Sequence, residues 1–122
     1  MSGGNNAESA FNVKDAMARL GNNKKLYEKL LTRFLAEYSD FYEKLRAAVD
    51  GNDLEGASHL AHTMKGLAGN LGADDLQAAS LAVEILCKAG SVTPEMEENL
   101  EKFSRELNRA LDAVRAGVNM EI

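Results

Sequence analysis

The 122 residues have the length of one domain. Apolar residues make up 45% and charged residues 27%, which excludes an intrinsically disordered chain and is sufficient for a hydrophobic core. The net charge of −5 argues against nucleic acid binding, which needs a basic surface, and no window approaches the roughly 18 uninterrupted apolar residues of a membrane span.

Residues 1–11 are small or polar for the most part, and we expect them to form a flexible N-terminal tail. Met1–Ala10 has neither the basic region nor the apolar region of a signal peptide. Cys87 is the only cysteine, which excludes an internal disulfide. Both features favour a cytoplasmic protein.

Apolar residues recur at spacings of three and four along five segments, which predicts five helices. The segments are residues 12–20, 23–49, 53–71, 74–88 and 93–116. Asn12 is a predicted N-cap, Asn52 with Glu55 forms a predicted capping pair, and Thr93 precedes a proline at the first helical position. Glycines end three of the helices, and Gly90-Ser91 is a predicted turn.

Four of these helices are long and amphipathic, and their connections are short. We therefore expect an all-α fold, an antiparallel up-down-up-down four-helix bundle over residues 12–116. The short first helix would lie across one end, and residues 117–122 would form a C-terminal tail. Little apolar surface is left for a partner copy, so we expect a monomer.

The helix predicted over residues 53–71 carries the functional pattern. A helix turns by 100° per residue, which places the predicted core positions on one side of this helix. These positions are Ala57, Leu60, Met64, Leu67, Ala68 and Leu71. His62 points away from this stripe. The outer face around it holds Glu55, Ser58, His59, Lys65, Gly66 and Gly69.

Gly66 and Gly69 are unusual because a glycine inside a helix costs about 1 kcal/mol relative to alanine. On the outer face they would remove side chains from the surroundings of His62, so that another protein could approach the ring. Lys65 adds a cation that can pair with phosphate oxygens. Imidazole is nucleophilic when neutral, and its ordinary pKa of about 6.5 keeps it mostly neutral in the cell. The combination favours phosphoryl transfer.

The same residues resemble a known family, the histidine-containing phosphotransfer (HPt) domain. Residues 61–68 read Ala-His-Thr-Met-Lys-Gly-Leu-Ala, and Leu71-Gly72-Ala73 and Leu76 follow. The family signature is Ala-His-x-Leu-Lys-Gly-x-Ala, then Gly-Ala and Leu, so Met64 stands where the family usually has leucine. Similarity covers most of residues 12–90, and the segment around His62 is its specific part.

The resemblance implies a role for each of several residues. His62 would be phosphorylated on its solvent-facing ring nitrogen, Lys65 would stabilise the phosphoryl group, and Gly66 would keep the approach open. Glu84 falls where the family often places a residue that hydrogen-bonds the other ring nitrogen. Gly69 and Asn70 would border the surface that binds the partner, and His59 would be a neighbour on the same face.

The resemblance also implies partners. The protein would carry a phosphoryl group between response-regulator receiver domains, in a relay with a sensor or hybrid histidine kinase. It would not be an enzyme, since it has no glycine-rich nucleotide loop. We expect no cofactor and no metal in this chain, because the receiver would bring the reacting aspartate and its magnesium.

Three alternatives stay open at this point. The chain could be the phosphorylated segment of a chemotaxis-type histidine kinase, which has the same bundle. It could be an adaptor that never carries phosphate, in which case replacing His62 would leave its function intact. It could also bind a metal through His59 and His62, although closed metal sites usually need four ligands.

Overall fold

The computed structural model describes residues 10–90 and 93–118, which form helices and no strands. The helices are α1 (Val13–Arg19), α2 (Lys24–Tyr38), α3 (Phe41–Asp50), α4 (Leu54–Leu71), α5 (Asp74–Lys88) and α6 (Pro94–Ala116). The predicted all-α fold is therefore confirmed. Within these two ranges no helix has the length and hydrophobicity needed to span a membrane.

The prediction of one helix over residues 23–49 is wrong, because the chain turns at Ser39 and Asp40 and divides this segment into α2 and α3. The hydroxyl of Ser39 donates a hydrogen bond to the Leu35 carbonyl at 2.6 Å. A serine that bonds the carbonyl four residues back often bends a helix, since it competes with the backbone amide for that oxygen. The aromatic rings of Tyr38 and Phe41 pack across the break with their centroids 5.8 Å apart.

The start of α4 also differs from the predicted capping pair of Asn52 and Glu55. Asp53 is the N-cap, and its side chain accepts a hydrogen bond from the backbone amide of Gly56 at 2.9 Å. Asn52 lies one residue outside, in the left-handed region at φ 60°. At the start of α1, Asn12 caps as predicted and accepts from the Asp15 amide at 3.1 Å.

The core is built from the inward faces of α2 to α6, with Ala16 and Met17 of α1 added to it. Its largest fully buried side chains include Tyr27, Phe34, Leu45, Met64, Leu71, Leu76, Val83, Met96, Leu100, Phe103, Leu107 and Leu111. On α4 the buried face is turned from the predicted one, because Leu60 and Leu67 are only partly buried. Ala61 is fully buried instead. The core therefore extends to the residue next to His62.

The most extensive helix contact joins α4 to α5, and α5 in turn packs against α6. The segment formed by α2 and α3 packs on α6 on one side and on α4 on the other. Only Gly72 and Ala73 connect α4 to α5. These two helices therefore form a tight pair, and this pair positions the candidate site.

The short helix α1 is bonded to the C-terminal end of α4. The Asn12 amide donates to the Gly72 carbonyl at 2.7 Å, and the Arg19 guanidinium donates to the Gly69 carbonyl at 2.7 Å. Gly72 has φ +79°, and a Cβ atom there would lie 2.5 Å from the Asn12 carbonyl oxygen. Glycine is needed at this position both for its backbone conformation and for the close approach of α1.

The packed part of the chain is longer than the predicted domain over residues 12–116. Ala10 and Phe11, predicted to be in the flexible tail, expose only 5% and 2% of their surface. Val118 is partly buried against the core. Residues 1–9 and 119–122 of the two predicted tails, and Ser91 of the predicted turn, lie outside the described residues.

Candidate functional site

His62 lies near the middle of α4 with 63% of its side chain exposed. The preceding residue, Ala61, is fully buried, so the backbone that carries the ring is anchored in the core. The ring stands on the edge of α4 that faces α5. The exposure predicted from the helical wheel therefore agrees with the structure.

Glu84 of α5 lies beneath the ring, with 4% of its side chain exposed. Its Oε2 is 2.9 Å from Nδ1 of His62. An ionised carboxylate can only accept hydrogen bonds, so Nδ1 carries the proton and donates it. In the neutral ring the lone pair is then on Nε2, which is the nitrogen left without this contact.

Two lysines also contact the Glu84 carboxylate. Lys65 Nζ lies 2.7 Å from Oε1, and Lys88 Nζ lies 3.2 Å from Oε2. The Lys65 ammonium, helped by Lys88 and His62, lowers the pKa of Glu84 to about 2, although burial of the carboxyl acts in the opposite direction. Glu84 is therefore ionised at neutral pH. We refer to His62, Lys65, Glu84 and Lys88 as the Glu84 cluster.

Gly66 leaves open space one turn after His62. It is exposed, and a Cβ atom built on it would have no neighbour within 4 Å. No packing contact in the described chain therefore requires a glycine here. The position fits the predicted role of keeping the approach to His62 clear.

The prediction that Gly69 lies on the exposed face beside His62 is wrong. Gly69 is buried, and a Cβ atom there would collide with the side-chain amide of Gln77 on α5. Its carbonyl also accepts the hydrogen bond from Arg19. Gly69 is thus a packing position between α4, α5 and α1. Asn70, predicted to border the same surface, is exposed.

His59 and His62 line one groove of about 560 Å³ between α4 and α5. Its other walls are Leu54, Glu55, Ser58, Glu84, Cys87 and Lys88. Cys87 is a free, buried cysteine, and burial raises the pKa of its thiol. Three members of the Glu84 cluster, His62, Glu84 and Lys88, therefore line the groove together with His59.

Lys88 is the member of the cluster that the sequence reasoning missed. It lies four residues after Glu84, and a glutamate followed at this spacing by a lysine forms a favourable pair on a helix. That spacing was the available signal. Among residues 10–90 and 93–118, no three or more His, Cys, Asp or Glu side chains are grouped so that they could hold a metal ion.

Comparison with known families gives a match to the model of the Hpt domain, which covers residues 29–117. The chain belongs to the Hpt domain family. The match includes the whole Glu84 cluster and begins within α2, so it leaves α1 outside. Searches of the curated proteins and of the solved structures gave no match.

Membership of the Hpt domain family assigns the chain to histidine phosphotransfer within a phosphorelay of the two-component type. Hpt domains carry phosphoryl groups and are not kinases, and they interact with receiver domains and histidine kinases. The imidazole of His62 is exposed and is hydrogen-bonded to Glu84 through Nδ1, an arrangement compatible with such chemistry.

Proposed function

We propose that this Hpt domain carries a phosphoryl group on Nε2 of His62, taking it from the aspartyl phosphate of one receiver domain and passing it to the aspartate of another. The observation that supports this most directly is the pairing of an exposed imidazole with a buried carboxylate. Glu84 holds Nδ1 at 2.9 Å, so the ring keeps one orientation and one tautomer while Nε2 faces the partner.

The transfer step follows from that tautomer. The Nε2 lone pair attacks the phosphorus atom, an N–P bond forms, and the bond from phosphorus to the aspartyl oxygen breaks to release the carboxylate. The ring then carries the phosphoryl group on Nε2 and a proton on Nδ1, and is positively charged. The Glu84 carboxylate stabilises this charge, and Lys65 pairs with the phosphoryl oxygens.

The partner supplies the remaining groups of the reaction. The receiver would bring the reacting aspartate and its magnesium, and no cofactor would be bound by the Hpt domain itself. Gly66 leaves room for that surface beside His62, while exposed Asn70 and His59 lie on the same helix on either side. The protein would act in the cytoplasm as a monomer, between receivers and a sensor or hybrid histidine kinase.

The helix contacts support the antiparallel four-helix bundle as the scaffold. Counting α2 with α3 as one member, each of the four members packs against the next, and α6 packs against the first. Short connections between successive helices favour alternating directions. α1 is then an additional helix bonded to the end of α4.

The test is transfer of labelled phosphate from receiver domains of the same genome, each charged with radiolabelled acetyl phosphate. We expect an acid-labile, base-stable label on the wild type and none on His62→Gln. His59→Gln is the matched control, because His59 is the other histidine of the chain and lines the same groove.

Each other outcome has a definite meaning. Equal label on His62→Gln would show that another residue accepts the group. A wild type that no receiver labels, but that a histidine kinase labels from ATP, would identify the segment of a chemotaxis-type kinase. A wild type that neither source labels would be an adaptor that never carries phosphate.

A further inference from the structure

We propose that Lys88 is a second cation that binds the phosphoryl group. Its positive charge would compensate negative charge that the phosphoryl group brings to the site. Because it concerns the group carried on His62, this role rests on the proposed function. Lys65 has a counterpart in the family signature, whereas Lys88 was assigned nothing by the sequence pattern. Its position in the cluster alone identifies it.

The contacts bring Lys88 close to the reacting ring. Its ammonium lies 3.2 Å from Glu84 Oε2, and the same oxygen lies 2.9 Å from His62 Nδ1. The two nitrogens therefore share one oxygen atom as a neighbour. Lys88 and His62 also line the same groove, and both side chains are largely exposed there.

The two lysines differ in how freely they can move. Lys65 exposes 28% of its side chain and contacts Oε1 at 2.7 Å, while Lys88 exposes 67% and has the longer contact. Because Lys65 still holds Oε1 of Glu84, the solvent-exposed ammonium of Lys88 can turn away without leaving the buried carboxylate unpaired. Once a phosphoryl group is on Nε2, its oxygens offer Lys88 a stronger acceptor.

The charges of the cluster support this exchange. Before transfer, a neutral His62, the Glu84 carboxylate and two ammonium groups sum to one positive charge. Transfer adds the two negative charges of the phosphoryl dianion and the one positive charge of the phosphorylated ring, which leaves the cluster neutral. Without Lys88 the phosphorylated cluster would carry one uncompensated negative charge beside a buried carboxylate.

The experiment measures the equilibrium distribution of radiolabelled phosphate between a receiver domain and the Hpt domain, at low and high ionic strength. We expect Lys88→Gln to shift the equilibrium toward the receiver by about fivefold to tenfold at low salt and by less at high salt. Lys88→Arg keeps the charge and should retain most of the wild-type equilibrium. Lys102→Gln is the control, because it removes the same charge from an exposed position on α6 outside the groove.

A merely structural role for Lys88 would give a different result. If Lys88 only anchors Glu84, Lys88→Gln changes the free energy of unfolding and leaves the transfer equilibrium and its salt dependence at wild-type values. That result overturns the role of Lys88 and leaves the proposed function standing. A wild type that accepts no label overturns both.

Discussion

His62 and Glu84 meet across α4 and α5 with 2.9 Å between Nδ1 and Oε2, and one side chain is largely exposed while the other is buried. The exposed member can react, and the buried member is protected from water and held by two lysines. In the proposed function, the ionised state of Glu84 is the electrostatic condition for phosphoryl transfer at His62. Two of the predictions below test it directly.

Replacing Glu84 by glutamine separates the hydrogen bond from the charge. The side-chain amide oxygen of the introduced glutamine can still accept from Nδ1, so the tautomer of His62 is kept. The positive charge of the phosphorylated ring loses its counter-charge, and we expect the phosphorylated fraction at equilibrium to fall by about tenfold. Labelled transfer from a receiver measures this fraction, and wild-type levels in Glu84→Gln would show that the charge is not needed.

Glu84 also predicts a pH dependence of stability. Its pKa is lowered from 4.5 to about 2 in the folded protein, so folding favours the ionised form. The resulting stabilisation is fully present above pH 4.5 and is lost as the pH falls toward 2. Urea unfolding between pH 7 and pH 2 should show the wild type losing stability across this interval more steeply than Glu84→Gln. Parallel curves for the two proteins would contradict the lowered pKa.

Gly66→Ala should improve stability and impair transfer at once. A Cβ atom at this position meets no neighbour, and alanine is favoured over glycine inside a helix by about 1 kcal/mol. The added methyl group stands beside His62, and we expect transfer from a receiver to slow by roughly tenfold, because small displacements of reacting groups are costly. Urea unfolding and single-turnover transfer measure the two effects.

Gly72→Ala is the matched contrast to that substitution. Gly72 has φ +79° and no room for a Cβ atom beside the Asn12 carbonyl, so alanine there should destabilise the fold. If both glycine variants lost stability, the open space at Gly66 would be in doubt. If Gly66→Ala transferred phosphate at the wild-type rate, the approach to His62 would not depend on that glycine.

Leu71→Ala and Leu67→Ala test which residues of α4 lie on its buried face. Leu71 is fully buried, so its truncation should reduce the free energy of unfolding by about 2–5 kcal/mol. Leu67 is only partly buried, and its truncation should cost clearly less. Urea unfolding of the two variants compares them, and equal losses would contradict the difference in burial.

The helices and the exposure of His62 could be predicted, because the apolar residues of an amphipathic helix recur with a period of 3.6 residues. The break at Ser39 and Asp40 could not, since the three- and four-residue spacing of apolar side chains continues across it unchanged. Gly69 was misplaced for a related reason. A helical wheel shows only the direction in which each residue points from the axis of its own helix. The burial of Gly69 comes from Gln77 and Arg19, which lie on two other helices.

The candidate site could also be predicted only in part. His62, Lys65 and Gly66 lie within one helical turn or so of each other, so the wheel alone shows them together. Glu84 stood at the margin of the apolar stripe of its own helix, where periodicity cannot distinguish an exposed charge from a buried one. Its burial is made possible by Lys65 and Lys88, and that compensation is visible only when the two helices are placed side by side.

The whole Glu84 cluster belongs to α4 and α5, which are joined by two residues. The reactive geometry is thus encoded by one contiguous helical hairpin, and α2, α3 and α6 serve as its support. Such a segment can be moved into another protein as one piece. Transplanted onto the matching hairpin of another antiparallel bundle, residues 54–88 should bring their histidine, carboxylate and lysines with them in the same arrangement.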